Sequence, residues 1–223
     1  MIKVDPITLS VVRGVLETTQ REMTLSLEKT ARSSVLNLAR DYSTSLFNAT
    51  PEMILQGQDI PIHLGSLMPA MKAVAQFFTG DIHEGDLILH NDPEYNGSHI
   101  LDMCIYKPVF FEGKHVFWTV CKGHLTDAGG PVPASYNPEA TEIFAEGLRV
   151  PPIKLWEKGK QRDDILNMIL TNMRARRNQE GDFKALIGAC QLGEKNLINL
   201  INKYGLEKIN LCIDELLSMA DKH

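Results

Sequence analysis

Two imidazoles and a carboxylate stand out for what they can do together. His99 and Asp102 lie in Gly97-Ser98-His99-Ile100-Leu101-Asp102, and His124 opens the stretch His124-Leu125-Thr126-Asp127-Ala128-Gly129-Gly130. Imidazole nitrogen suits zinc, iron, manganese or cobalt, and a carboxylate oxygen shifts the balance toward the harder ions. Neither stretch contains cysteine, so the set matches a catalytic centre with an open position better than a closed structural zinc site. A divalent ion held there lowers the pKa of water toward about 7, or polarises a carbonyl or an acyl phosphate. On spacing alone a second reading stands beside this one. H-x-x-D is a weak motif, and the two histidines are equally explained as loop-end residues hydrogen-bonded to nearby carboxylates.

Either reading needs an element that brings the residues together. Residues 103–110 and 115–121 are apolar runs joined by Phe111-Glu112-Gly113-Lys114, which is a hairpin signal. A two-residue turn at Glu112-Gly113 pairs Phe111 with Lys114 and sets Leu101 opposite His124; a three-residue turn sets Ile100 there. Cross-strand neighbours lie about 5 Å apart and diagonal ones about 7–8 Å. Both registers therefore gather His99, Asp102 and His124 at the open end of the hairpin, but they disagree about which side chains share a face.

Around this hairpin the pattern is α+β, with a mixed sheet, a long N-terminal helix and a helical C-terminal segment. Asp5 is a good N-cap, Pro6 fits a first helical position, and Leu9, Val12, Leu16, Met23 and Leu27 trace an apolar face ending near Ala31. Residues 42–47 and 86–89 read as strands. Residues 60–65 read as extended because Pro61 restrains its predecessor, and 67–78 as a helix stopping at Gly80. Residues 127–152 are rich in Gly and Pro and read as irregular, with at most one short helix over 139–147. From 161 to 220 the pattern is helical, with breaks near Gly181 and Gly205. Residues 1–160 thus form an α+β metal-binding region, and 161–223 a helical region packing on the rest of the subunit or on a partner.

Composition excludes several function classes. A net charge of -5 leaves no broad basic surface for nucleic acid or anionic lipid. The one basic knot, Arg174, Arg176 and Arg177, reads as helix capping or carboxylate pairing. No stretch reaches the roughly 20 apolar residues of a membrane span, and Asp5 and Pro6 interrupt any leader-like start. Cys104, Cys121, Cys190 and Cys212 have no paired spacing and read as reduced, buried thiols of a cytoplasmic protein. Gly188 to Glu194 has phosphate-loop glycine spacing, but Glu194 stands where a lysine is needed. Without a nucleotide fingerprint here, any ATP used must bind on another chain. His63 is a candidate substrate contact or a structural histidine; His83, His90, His115 and His223 have no supporting neighbours.

The chain resembles the hydantoinase B/oxoprolinase family. The matching residues are Asp5-Pro6-Ile7-Thr8-Leu9, Arg40-Asp41-Tyr42-Ser43 with Leu46-Phe47, and Ile60-Pro61-Ile62-His63-Leu64-Gly65-Ser66. They continue through Asn91-Asp92-Pro93, Gly97-Ser98-His99, Asp102, His124, Asp127, Gly129-Gly130, Glu142-Ile143-Phe144, Glu146-Gly147-Leu148-Arg149 and Pro151-Pro152. Family members form one subunit or half of 5-oxoprolinases, ATP-dependent hydantoinases and lactamases, and acetone or acetophenone carboxylases. The resemblance implies one divalent metal (Zn, Mn or Fe) on His99, Asp102 and His124, with Asp41 as fourth ligand. Asp127 is then a reserve ligand or an orienting residue, and His63 lines the substrate cavity. It also implies a hydantoinase A-type partner that uses ATP and Mg to phosphorylate a small cyclic amide or a ketone enol, with hydrolysis or carboxylation completed here. A non-catalytic assembly role is the competing expectation. Two positions depart from the pattern: Leu125 and Asp59 stand where many relatives have histidine. Members also run past residue 223, which implies a fragment or a subunit completed by a separate C-terminal half.

Overall fold

The computed structural model describes residues 5–57 and 60–220. It is an α+β fold in three layers, with one antiparallel sheet between helices. The first helix, α1 (Pro6–Thr30), is capped as its sequence requires: the Asp5 carboxylate accepts the Thr8 N–H at 2.9 Å, and Pro6 occupies the first turn. A one-turn helix, α2 (Ser34–Asn37), leads to β1 (Tyr42–Asn48) and β2 (Met53–Gln56). Helix α3 (Pro61–Phe77) follows, then β3 (Leu87–His90), β4 (Asp102–Phe111) and β5 (Lys114–His124). Strands β6 (Ile153–Glu157) and β7 (Lys160–Gln161) precede helices α4 (Asp163–Thr171), α5 (Arg176–Tyr204) and α6 (Leu206–Ala220).

The strand order is β2-β1-β5-β4-β3-β6-β7, and every pairing is antiparallel, so the sheet is not mixed. The β4–β5 hairpin sits in the middle because it inserts between β3 and β1. Side chains alternate across this sheet. One face, with Tyr42, Leu46, Leu89, Met103, Ile105, Phe117 and Cys121, packs against α1 and α5 through Leu16, Met23, Phe183, Leu186 and Cys190. The other face, with Phe47, Ile88, Cys104, Tyr106, Trp118 and Val120, is covered by α3 through Leu67, Met71 and Val74. All four cysteines are buried and free. No described helix is long and apolar enough to cross a membrane.

Two expectations about element bounds fail, at residues 61–65 and at Gly181. Residues 61–65 are helical, because Pro61 restrains only Ile60 (φ -72, ψ 116) and itself starts α3. Helix α5 runs unbroken through Gly181, whose bare Cα lets Arg32 approach: a Cβ there would sit 2.3 Å from Arg32 Cγ. The break near Gly205 is real, with φ 82 at that residue. Strand β2 carries no periodic apolar signal, being half-buried throughout. The phosphate-loop-like Gly188 to Glu194 lies inside α5, where Glu194 pairs with buried Lys107 at 3.2 Å.

Candidate metal centre and adjoining cavities

The hairpin register decides the site, and it matches neither count made from the turn. Phe111 does pair with Lys114 across Glu112-Gly113, and Phe110 with His115. Val109 then pairs with Phe117, so Val116 is an extra residue on β5, and from that bulge onward the partners shift by one. Asp102 therefore stands opposite His124, on the same face, where Leu101 was expected. Their side chains meet: His124 Nδ1–H donates to Asp102 Oδ1 at 2.8 Å.

His99 reaches the same point from the loop between β3 and β4. Asn91, fully buried, pins that loop: its amide donates to Ile100 O at 2.6 Å and Leu148 O at 2.9 Å, and its oxygen accepts Val150 N–H at 2.7 Å. Asp92 adds a two-pronged pair with Arg149 at 2.8 and 3.0 Å. Gly97 passes so close to Asn91 that a Cβ would lie 2.2 Å from its carbonyl oxygen. One ligand-type atom from each of His99, Asp102 and His124 lies within 4.8 Å of the other two. Tetrahedral zinc ligands stand roughly 3.3 Å apart, so small side-chain rotations would close this set on an ion.

Asp102 is the electrostatic centre. Its Oδ2 accepts from the Ser98 hydroxyl at 2.5 Å and the His99 N–H at 3.4 Å, and faces the Lys122 ammonium at 3.4 Å. Burial pushes the Asp102 carboxyl up, but the His124 hydrogen bond, Lys122 and Ser98 outweigh it and hold the group far below the usual carboxylate range. Burial pushes His124 down, and the bond and charge of Asp102, helped by Asp41, more than restore it, so its pKa ends raised. Lys122, itself buried, also donates to Ser66 at 2.8 Å and to Ser98. Sequence reading missed Lys122, although strand alternation puts it two residues before His124 on the same face.

Asp41 and His63 complete the surroundings. Asp41 ends the turn before β1, and His124 N–H donates to its carbonyl at 3.0 Å. His63, in the first turn of α3, bonds Ser43 Oγ through Nδ1 at 3.0 Å. Its Nε2 faces Asp41 at 3.7 Å and Asp102 at 3.9 Å. Burial, then Lys122, lowers the His63 pKa and favours the neutral ring. Asp41, His63, Ser98 and the three clustered residues line one cavity of about 180 Å³. A second cavity, about 370 Å³, shares His99 and His124 and is otherwise walled by residues including Ile100, Leu101, Tyr136 and Glu146. The structure does not bring Asp127 to this cluster. Its carboxylate accepts the Arg174 N–H at 2.7 Å and the Arg174 guanidinium at 2.8 Å, tying the start of the glycine-rich loop to the turn between α4 and α5. Leu125 is buried in the core, and Asp59 lies outside the described residues.

Comparison with known proteins finds relatives across nearly the whole chain. The chain is 68% identical over 223 residues to the caprolactamase subunit beta of Pseudomonas jessenii, covering 100% of this chain and 38% of that protein. It is 29% identical over 208 residues to a 5-oxoprolinase of Dictyostelium discoideum, covering 93% of this chain and 16% of the relative. The crystal structure of the ATP-dependent caprolactamase from Pseudomonas jessenii superposes with a TM-score of 0.95, covering 99% of this chain and 38% of that one. A nucleotide-free acetone carboxylase shares the fold at a TM-score of 0.86 and 21% identity, over 94% of this chain and 28% of its own. The chain thus spans well under half the length of the relatives it matches. The hydantoinase B/oxoprolinase model matches residues 5–223, and the chain belongs to that family.

Proposed function

From that membership and the geometry above, we propose that this chain is the metal-bearing part of an ATP-dependent cyclic-amide hydrolase. Its metal ligands are His99, Asp102 and His124, with Asp41 as the fourth. The observation that carries the reading is the convergence of three ligand-type atoms within 4.8 Å of one another beside two cavities. The donor set of two imidazoles and carboxylates fits zinc, manganese or iron. A divalent ion bound there supplies Lewis-acid polarisation of a carbonyl or phosphoryl oxygen.

The chain's own residues then have distinct tasks. Ser98, the His99 N–H and Lys122 occupy Asp102 Oδ2, which leaves Oδ1 as the oxygen free to exchange its His124 partner for a ligand. Ser43 fixes the His63 ring, and its Nε2 is presented to the cavity as a neutral hydrogen-bonding group for substrate. A hydantoinase A-type partner binds ATP and Mg and phosphorylates the amide oxygen, a division of labour supported by the 68%-identical relative being named a subunit beta and by the similar solved structure being an ATP-dependent caprolactamase. Lactam hydrolysis is placed ahead of ketone carboxylation because the relative with 68% identity is named a caprolactamase, whereas the carboxylase likeness is one of fold.

Metal analysis of purified protein tests the reading. Wild type is expected to retain about one tightly held divalent ion per chain, and the His99→Ala/His124→Ala double variant none, with turnover of the assembled complex abolished. Equal metal content in the two proteins would sink the proposal. A double variant that keeps near-wild-type turnover in the complex would favour the assembly role instead.

A further inference from the structure

The larger cavity contains a feature that the metal reading does not use. Glu146 ends a short 3-10 turn (Ile143–Glu146), and its carboxylate has no ion pair or side-chain hydrogen bond among the described residues. That turn is held tightly in place. Leu148 N–H donates to Ala128 O at 2.6 Å, and Gly147 (φ 129) lies where a Cβ would be 2.6 Å from the same oxygen. Gly130 (φ 80) makes the reciprocal approach, where a Cβ would lie 3.0 Å from Ala145 O. Arg149 anchors the following residues to Asp92, and hence to the loop that carries His99. A carboxylate without a partner among the described residues is thus fixed in the lining of a cavity that His99, His124, Ile100, Leu101 and Pro138 also line.

We propose that this cavity is the substrate-ring subsite, and that Glu146 accepts a hydrogen bond from the ring N–H of a cyclic secondary amide. That proton stays on nitrogen when the amide oxygen is phosphorylated to the N-protonated iminium form. Ile100, Leu101 and Pro138 cover an uncharged aliphatic ring, and the carbonyl edge is turned toward His99 and His124. Volume and lining suit a small, mostly apolar ligand oriented by few polar groups. A carboxylate is acceptor-only, so it selects a ring that carries N–H over one that is N-alkylated. This assignment rests on the metal-centre reading for the direction of the carbonyl.

The test uses the complex assembled with its ATP-binding partner. It compares kcat/KM for an unsubstituted medium-ring lactam with the inhibition constant of its N-methyl analogue, in wild type, Glu146→Leu and Glu146→Gln. Glu146 is exposed, so both variants should fold. Losing a hydrogen bond to a charged acceptor is expected to cost the N–H lactam about 10-fold or more in Glu146→Leu. Gln, which keeps an acceptor oxygen, recovers most of that loss, while the N-methyl inhibition constant moves less than about 2-fold, as expected when no such bond forms. An unchanged kcat/KM in Glu146→Leu, or an equal weakening of the N-methyl analogue, overturns the proposal. Metal content is measured on every variant. It stays at the wild-type level if only the Glu146 assignment is wrong, whereas failure of the metal reading appears as metal unaffected by His99→Ala/His124→Ala.

Discussion

Two clusters in this chain use the same side-chain types in different surroundings. One gathers His99, Asp102, His124, Asp41, His63 and Lys122; the other gathers Asp81, His83, Asp86 and Lys154. In the second, Asp86 is fully buried, and its oxygens accept the His83 N–H at 2.9 Å and the Lys158 N–H at 2.8 Å. Lys154 lies 2.9 Å from Asp81 and 3.0 Å from Asp86, with His83 at 3.3 Å from Asp81. This carboxylate is spent on backbone donors and a matched cation, and it staples the turn before β3 to the β6–β7 turn. In the first cluster Asp102 bonds mainly to side chains that can rotate, and those side chains border two cavities. Residue type does not separate a staple from a site. Accessible space and donor atoms that can be released do.

The largest effect that would test this contrast is at the staple. Asp86→Ala takes one of its two carboxylate partners from buried Lys154 and leaves the His83 and Lys158 N–H groups without their acceptor, and is expected to lower stability by about 2–4 kcal/mol in urea unfolding. Its metal content should equal wild type. A loss of metal would mean the two clusters are coupled, and the contrast would fail.

Gly97→Ala sharpens the comparison from the other side. The new Cβ would press on Asn91 O, so the loop carrying Ser98 and His99 must shift. A destabilisation of about 1–3 kcal/mol with loss of tightly held metal is expected by calorimetry and metal analysis. Retention of metal would show that loop precision is not needed at the cluster.

The smallest effect at neutral pH concerns His90, at the end of the strand linking the two clusters. Burial pushes its pKa down to about 4. The folded protein thus keeps His90 neutral, while the unfolded chain takes up a proton below about pH 6.5. Stability is therefore lost as pH falls from 6.5 through 4, by about 3 kcal/mol for this residue. His90→Gln should flatten that slope by about one proton in unfolding measured from pH 4 to 7. An unchanged slope would remove His90 from the account.

How much of this was legible in the sequence varies by element. The α1 cap, the central hairpin and its turn were readable because each rests on local chemistry: Asp5 before Pro6, alternation beside Glu112-Gly113. The gathering of His99, Asp102 and His124 was readable because any register of that hairpin brings its open end together. The partnership of Asp102 with His124 was not, because it depends on the bulge at Val116, and an extra residue leaves no local mark in an apolar run. Lys122 was overlooked inside such a run although its alternation was visible. His83 looked isolated because Lys154, which balances its two acidic neighbours, is far along the chain.

By itself, then, the sequence determined the α+β class, the long first helix, the hairpin and the family, and the family's motifs in turn named the candidate ligands, since these follow from periodicity, turn chemistry and short motifs. Tertiary structure alone decided three things. It set Asp102 against His124, surrounded that carboxylate with Lys122, Ser98 and Ser66, and spent Asp127 on Arg174 rather than on the site. The physical reason is common to all three. Which charges meet depends on strand register and on which elements pack over a face, and both are settled by burying the whole core rather than by any one segment.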